Sequence, residues 1–225
     1  MNYMTVFLII FTIVSVVHII VTALQKEWPQ RVSKVLIIPF LLAAYIAGRG
    51  SQDILIILAL VFGWIGDILL IKKKKRIIFK LGILSFLMGH LCYIAAFINY
   101  LGTLGFLSAF IWLINIRTLV AIIPLGIIAG IFVYRLIKPL KEMIIFVIIY
   151  MIVIEAMAFW GLHIFILVSG FASFMIFLGC LLFMISDSTL AYYAFRKIKV
   201  FASVMIMVLY ILAQTGIVMG FLLLK

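Results

Sequence analysis

The sequence predicts an all-α membrane protein, a bundle of eight transmembrane helices with both termini outside. Three observations predict it. Hydrophobic residues make up 69% of the 225-residue chain and charged residues only 11%, where a soluble domain has about 45–50% and about 25%. Apolar runs long enough to cross a bilayer follow one another from end to end. The few cations gather in alternate loops, as the positive-inside rule requires. Such a composition excludes a soluble globular domain, a disordered tail and a disulfide scaffold. The runs also lack the alternation of an outer-membrane barrel.

The first run, residues 4–24, reads as a retained span, because no basic residue precedes Lys26 as a cleaved leader would need. The second, 32–47, carries Lys34 just inside its basic end. The third, 54–71, has Ala59, Gly63 and Asp67 on one stripe at steps of four. The fourth, 77–100, places most of Gly82, Phe86, Gly89, His90 and Tyr93 on one helical face. Small residues in these stripes let a neighbouring helix approach closely. Segment 104–116 is apolar but short, and with Trp112 it suits an interfacial segment, an extension of its neighbour or a further span. The fifth run is 118–137. The sixth, 143–163, carries Glu155; the seventh, 166–195, carries Ser186 and Asp187; the eighth, 200–224, carries Tyr210 and Gln214 four apart.

Charge settles the count. With eight spans, fifteen of the 18 cations fall on one side: Lys26, Arg31 and Lys34; residues 72–76 and Lys80; Arg135, Lys138 and Lys141; Arg196, Lys197 and Lys199. Arg49, Arg117 and Lys225 fall on the other. A ninth span would send the second half's cations outside. The expectation is therefore one eight-helix domain over residues 1–225, a multi-pass protein of the cell membrane. The net charge of +12 then reflects orientation and contact with anionic headgroups rather than nucleic acid. Cys92 and Cys180 lie inside apolar runs and read as small buried hydrophobes, not a bridge. Gly66-Asp67 and Ser186-Asp187 stand in similar settings, each before a basic loop. Two parallel four-helix halves would give this pairing; so would chance among small and apolar residues.

Six acids are present. Glu27, Asp53 and Glu142 sit at span ends, where they are solvated. Asp67, Glu155 and Asp187 lie within spans, where an ionisable group usually faces the bundle interior. By helical rise, Asp67 lies roughly 7–8 Å from the basic end, Asp187 roughly 13–14 Å and His90 near mid-membrane. Such acids either order the helices through hydrogen bonds or carry chemistry. For Lys34 the readings are snorkelling, a partnership with Asp67, or a lipid phosphate. His18 and His163, near span ends, read as interfacial. No clustered His/Cys spacing, phosphate-binding glycine loop or nucleophile elbow occurs.

The strings Phe62-Gly63-Trp64-Ile65-Gly66-Asp67, Gly89-His90-Leu91-Cys92-Tyr93 and Phe183-Met184-Ile185-Ser186-Asp187-Ser188 together resemble the YhhN-like family of integral-membrane lysoplasmalogenases. The resemblance covers residues 34–214 in order and spacing. One departure is Val35 after Lys34, where the family pattern has proline. The resemblance implies a hydrolase of the sn-1 vinyl ether of lysoplasmalogen, releasing a fatty aldehyde and glycerophosphoethanolamine or glycerophosphocholine. It implies no metal or organic cofactor, and a lysophospholipid and membrane lipids as partners. A vinyl ether hydrolyses by protonation at carbon, which needs an acid that keeps its proton near neutral pH; a low-dielectric setting favours the neutral form of any carboxyl. A second carboxylate can stabilise the cation and activate water, as in glycoside hydrolysis. On this reading Asp187 is the acid and Asp67 stays ionised near Lys34, with the reverse assignment open. His90 orients water or a carboxylate, and Tyr93, Ser186, Tyr210 and Gln214 complete a polar pocket. Two other readings remain. A transporter or lipid binder would use the same acids to couple to protons. An intramembrane aspartyl protease would need a Pro-Ala-Leu loop, which this chain lacks.

Overall fold

The computed structural model describes residues 2–48, 53–71, 76–105, 126–127, 130, 144–193 and 199–224. Seven helices are long and apolar enough to cross a membrane: α1 (Tyr3–Ala23), α2 (Glu27–Gly48), α3 (Ile54–Ile71), α4 (Arg76–Thr103), α5 (Ile144–Val168), α6 (Phe171–Tyr193) and α7 (Val200–Leu223). Among the described residues there is no strand. The chain is an all-helical, multi-pass membrane protein. Its outward faces carry bare apolar side chains such as Ile13, Ile152 and Leu212, suited to hydrocarbon rather than water. The expected fifth span and most of segment 104–116 lie outside the described residues.

Local chemistry sets the boundaries. α1 ends in a Schellman arrangement: the Lys26 N–H donates to Val21 O at 3.0 Å, the Gln25 N–H donates to Thr22 O at 3.1 Å, and Gln25 takes a left-handed φ of 55°. α2 starts five residues earlier than the apolar run suggested, because polar residues supply its first turn. Glu27 favours the helix N-terminus and pairs with Arg31 at 2.8 Å, and Pro29 is tolerated that early. Inside α2, Pro39 has no N–H to give Val35 O, its partner four residues back. The Trp64 indole on α3 donates to that carbonyl at 2.8 Å, so a broken backbone bond becomes a tie between two helices. Asp53 caps α3, accepting the Leu55 N–H at 2.9 Å.

The sixth and seventh runs need correcting. α5 continues to Val168, and the turn falls at Ser169 and Gly170, with φ of 48° and 128°. Apolarity runs straight through this corner, so only the glycine, free to adopt the left-handed region, marks it. The two-residue connection makes α5 and α6 an antiparallel hairpin. α4 and α5 run parallel: Lys80 near the start of α4 reaches Phe146 near the start of α5, and His90 further along meets Tyr150.

Glycines let backbones touch. A Cβ on Gly179 would sit 2.8 Å from Ala213 O and 2.9 Å from Ile217 N, and one on Gly220 would sit 2.7 Å from Ala172 O. α6 and α7 therefore pack main chain to main chain. On the other side, Phe86 of α4 fills the space over Gly66 of α3, and Gly89 lies against Ala59 O. Ser85 Oγ ties the same pair by donating to Phe62 O at 2.6 Å.

His18 and His163, expected near the span ends, turn into the bundle. Both are buried, at 0% and 1% exposure. The His18 Nδ1–H donates to Ser33 Oγ at 2.8 Å, and Ser33 in turn donates to Pro29 O. His163 Nδ1 bonds to Phe159 O at 2.8 Å. A carbonyl one turn back, or a serine on the next helix, offsets enough of the ring's polarity to let it enter the core.

Candidate active site

Two carboxyls lie inside the bundle near the end where α3 and α6 finish and α4, α5 and α7 begin. Asp67, four residues before the end of α3, is 2% exposed. Its Oδ1 is 3.2 Å from Lys34 Nζ on α2, and its Oδ2 accepts the Tyr210 hydroxyl of α7 at 2.8 Å. Lys34 keeps a fifth of its side chain accessible, as a lysine does when its stem crosses apolar surface. Of the readings open for this lysine, the geometry selects Asp67. Gly63, one turn before Asp67, leaves the room: a Cβ there would meet Gln214 Nε2 at 3.3 Å and Tyr210 OH at 3.7 Å. The Tyr93 hydroxyl donates to Gln214 Oε1 at 2.5 Å. The stripes on three helices thus converge on one polar cluster.

Asp187 on α6 is 6% exposed and has different company. The Tyr150 hydroxyl of α5 donates to its Oδ2, and His90 Nε2 of α4 is 3.7 Å from the same atom. His90 Nδ1 lies 2.5 Å from Phe86 O. A carbonyl only accepts, so Nδ1 carries the hydrogen and Nε2 of the neutral ring offers its lone pair toward Asp187. That lone pair has no hydrogen-bond partner within bonding distance among the described residues. One proton between Nε2 and the carboxyl would satisfy both groups.

An aromatic layer separates the two sites. Phe183 stands edge-on to His90 at 4.6 Å and to Tyr210 at 5.5 Å, and Phe86 stands edge-on to Tyr210 at 6.1 Å. Asp187 stands instead in the wall of an open cleft between the helices. Leu70, Phe79, Ile83, Phe86, Val147 and Leu190 give it an apolar lining, and Tyr150 sits beside the acid.

Ser186 turns away from this cleft and donates to Ile206 O at 3.1 Å, pinning α6 to α7. Glu155 is half-buried on α5. Sequence reading missed Tyr150. Its only trace is a hydroxyl within an otherwise aliphatic stretch at the depth of Asp187. Cys92 and Cys180 are both free thiols, Cys180 buried and Cys92 partly so. Among the described residues no three His, Cys, Asp or Glu side chains come together as a metal site would require.

No curated protein and no solved structure matches the chain. The model of the YhhN family matches residues 29–221, a stretch that contains both aspartates, His90, Lys34, all of α3 to α6 and nearly all of α2 and α7. On that match, which spans most of its length and takes in the whole polar constellation, the chain belongs to the YhhN family.

Proposed function

We propose that the protein is a cell-membrane hydrolase that cleaves the sn-1 vinyl ether of lysoplasmalogen, with either an ethanolamine or a choline headgroup. The observation that carries this reading is the contrast between two buried carboxyls. Asp67 is held by a lysine and a tyrosine, while Asp187 has the Tyr150 hydroxyl, His90 Nε2 at 3.7 Å and an apolar cleft beside it. Vinyl ether hydrolysis needs a proton donor, and a second, ionised carboxyl can favour the cation that follows.

In the proposed sequence the alkenyl lipid enters between Phe79, Ile83 and Val147, with its sn-1 bond beside Asp187. The Asp187–His90 pair gives its proton to the second carbon of the chain. The first carbon and the ether oxygen then share the positive charge as an oxocarbenium ion. Asp67, ionised beside Lys34 behind the aromatic layer, acts on that charge through its field rather than by contact. Water adds to the first carbon, its proton returns to the Asp187–His90 pair, and the hemiacetal divides into aldehyde and the glycerol hydroxyl. Tyr150 holds the carboxyl in place through Oδ2, and Tyr93, Gln214 and Tyr210 keep the inner cluster ordered.

The proposal includes eight spans with both termini outside. Support comes from the parallel course of α4 and α5: their starts share one end of the bundle. The chain between them must return across the membrane, and residues 118–137 are the run expected to do so.

The test is a panel of lysolipids offered to detergent-purified protein, with products read by mass spectrometry. The vinyl-ether lipid should release aldehyde, carrying one deuterium beside the carbonyl when the reaction is run in deuterated water. The saturated alkyl-ether analogue has no alkene to protonate and should bind without being cut. Comparable release of fatty acid from the ester analogue would overturn the mechanism. Uptake without any cleavage would favour a transporter.

A further inference from the structure

The cleft beside Asp187 has a rim as well as a floor. On the α4 side, Lys80 follows Phe79 directly and stands one turn before Ile83, and both neighbours line the cleft. On the α5 side, Phe146 precedes Val147, also a lining residue. Lys80 Nζ lies over the Phe146 ring, 5.3 Å from its centroid, so the two side chains meet beside residues that line the cleft. We propose that Lys80, seated on Phe146, is the phosphate anchor of this cleft and fixes how deep a lysolipid enters. The proposal rests on the lysolipid reading and adds to it the residue that selects for a phosphate-bearing headgroup.

Three arguments support it. First, an aromatic face holds an ammonium without neutralising it, so Lys80 keeps its charge for an anion while Phe146 restricts where that charge can be. A lysine used this way acts as a point charge for phosphate. Second, Lys34 cannot serve, because Asp67 already holds it at 3.2 Å. Third, the spacing suits a glycerol lipid. Phe146 lies four residues before Tyr150, about 6 Å of helical rise, and Tyr150 holds the Asp187 carboxyl. In a glycerophospholipid five bonds separate phosphorus from the sn-1 oxygen, roughly 6 Å when extended. Phosphate at Lys80 therefore sets the glycerol within the cleft and the sn-1 bond at the level of Asp187.

The experiment compares two ligands that the proposed chemistry cannot cut. One is a saturated alkyl-ether lysophosphatidylethanolamine; the other is the alkylglycerol with the same tail and no phosphate. Binding to wild type, Lys80→Met and Lys80→Arg is measured in detergent micelles. Lys80→Met should weaken the phosphate ligand roughly ten-fold, about 1.4 kcal/mol, and leave the alkylglycerol unchanged. Lys80→Arg should restore most of the preference. In turnover of the vinyl-ether lipid the loss should fall on KM rather than kcat. Equal weakening of both ligands, or none for the phosphate ligand, overturns the anchor. Displacement of the lipid by millimolar inorganic phosphate would show a free-anion site and overturn the lipid assignment. If wild type cleaves no vinyl ether, the hydrolase reading falls, while the binding contrast still decides Lys80 on its own.

Discussion

Replacing Lys34 with methionine keeps the apolar stem and removes the ammonium that lies 3.2 Å from Asp67 Oδ1. The carboxyl left behind is 3% accessible and retains only the Tyr210 hydroxyl at 2.8 Å. Removing one partner of a buried pair costs about 3–5 kcal/mol. Here Lys34 reaches the membrane surface with a fifth of its side chain, which screens the pair, so about 2–3 kcal/mol is expected. Asp67→Asn should cost less, about 1 kcal/mol, because the freed lysine can turn to the headgroups. The double variant should be more stable than the sum of the two losses, by at least about 1 kcal/mol. Unfolding of purified protein by sodium dodecyl sulfate in mixed micelles, followed by helical circular dichroism, measures all three. Losses that add to within about 0.5 kcal/mol would refute the reasoning, since uncoupled side chains do not form an ion pair that matters. The assay is blind to turnover, so it tests the architecture of the inner site separately from its chemistry.

Other outcomes are as specific. Asp187→Asn should lower vinyl-ether turnover by roughly 10²–10⁴-fold with normal insertion and yield, whereas Tyr150→Phe should lose less because the carboxyl remains; activity of Asp187→Asn near wild type would reduce that residue to packing. Gly179→Leu should prevent α6 and α7 from closing, since even a Cβ meets backbone at 2.8 Å, and should be read as loss of folded protein in size-exclusion chromatography; Gly170→Ala, at an open corner with φ of 128°, should cost far less. Single cysteines at Lys26 and Ser169 should label from opposite faces of the membrane, Ser169 in intact cells and Lys26 only once the inner face is opened; the reverse pattern would invert the proposed topology.

The bundle was legible because hydrophobicity and charge are one-dimensional properties. A span announces itself by length, and a basic loop by composition, without knowledge of neighbours. The convergence of Asp67, Tyr210 and Gln214 was also foreshadowed, since each lies on a stripe with a four-residue step. What could not be read is which stripe meets which. Nothing in the sequence says that Tyr150 will face Asp187 across thirty-seven positions, or that Ser186 will be spent on a backbone carbonyl instead of the cleft. The corner at Ser169 and Gly170 was misplaced because apolar residues continue through it. That the His18 and His163 rings turn inward was not legible, because burial of a ring depends on a partner one turn or one helix away. Pro39 is the instructive opposite case. Its missing N–H is written in the sequence, and the only unknown was which donor, Trp64, would answer it.

The first two helices have a consequence for biosynthesis. His18 and Ser33 bond to each other between α1 and α2, and the Schellman turn at Gln25 folds one helix directly back on the other. α1 alone would leave the His18 imidazole without that partner, which is costly in an apolar setting. Chains emerge N-terminus first, and early segments fold before later ones exist. The pair is therefore suited to leave the translocon as a unit, zipped by the histidine before α3 has been made. A His18→Leu chain would lose that zipper while gaining hydrophobicity, and its first two segments would be free to integrate one at a time.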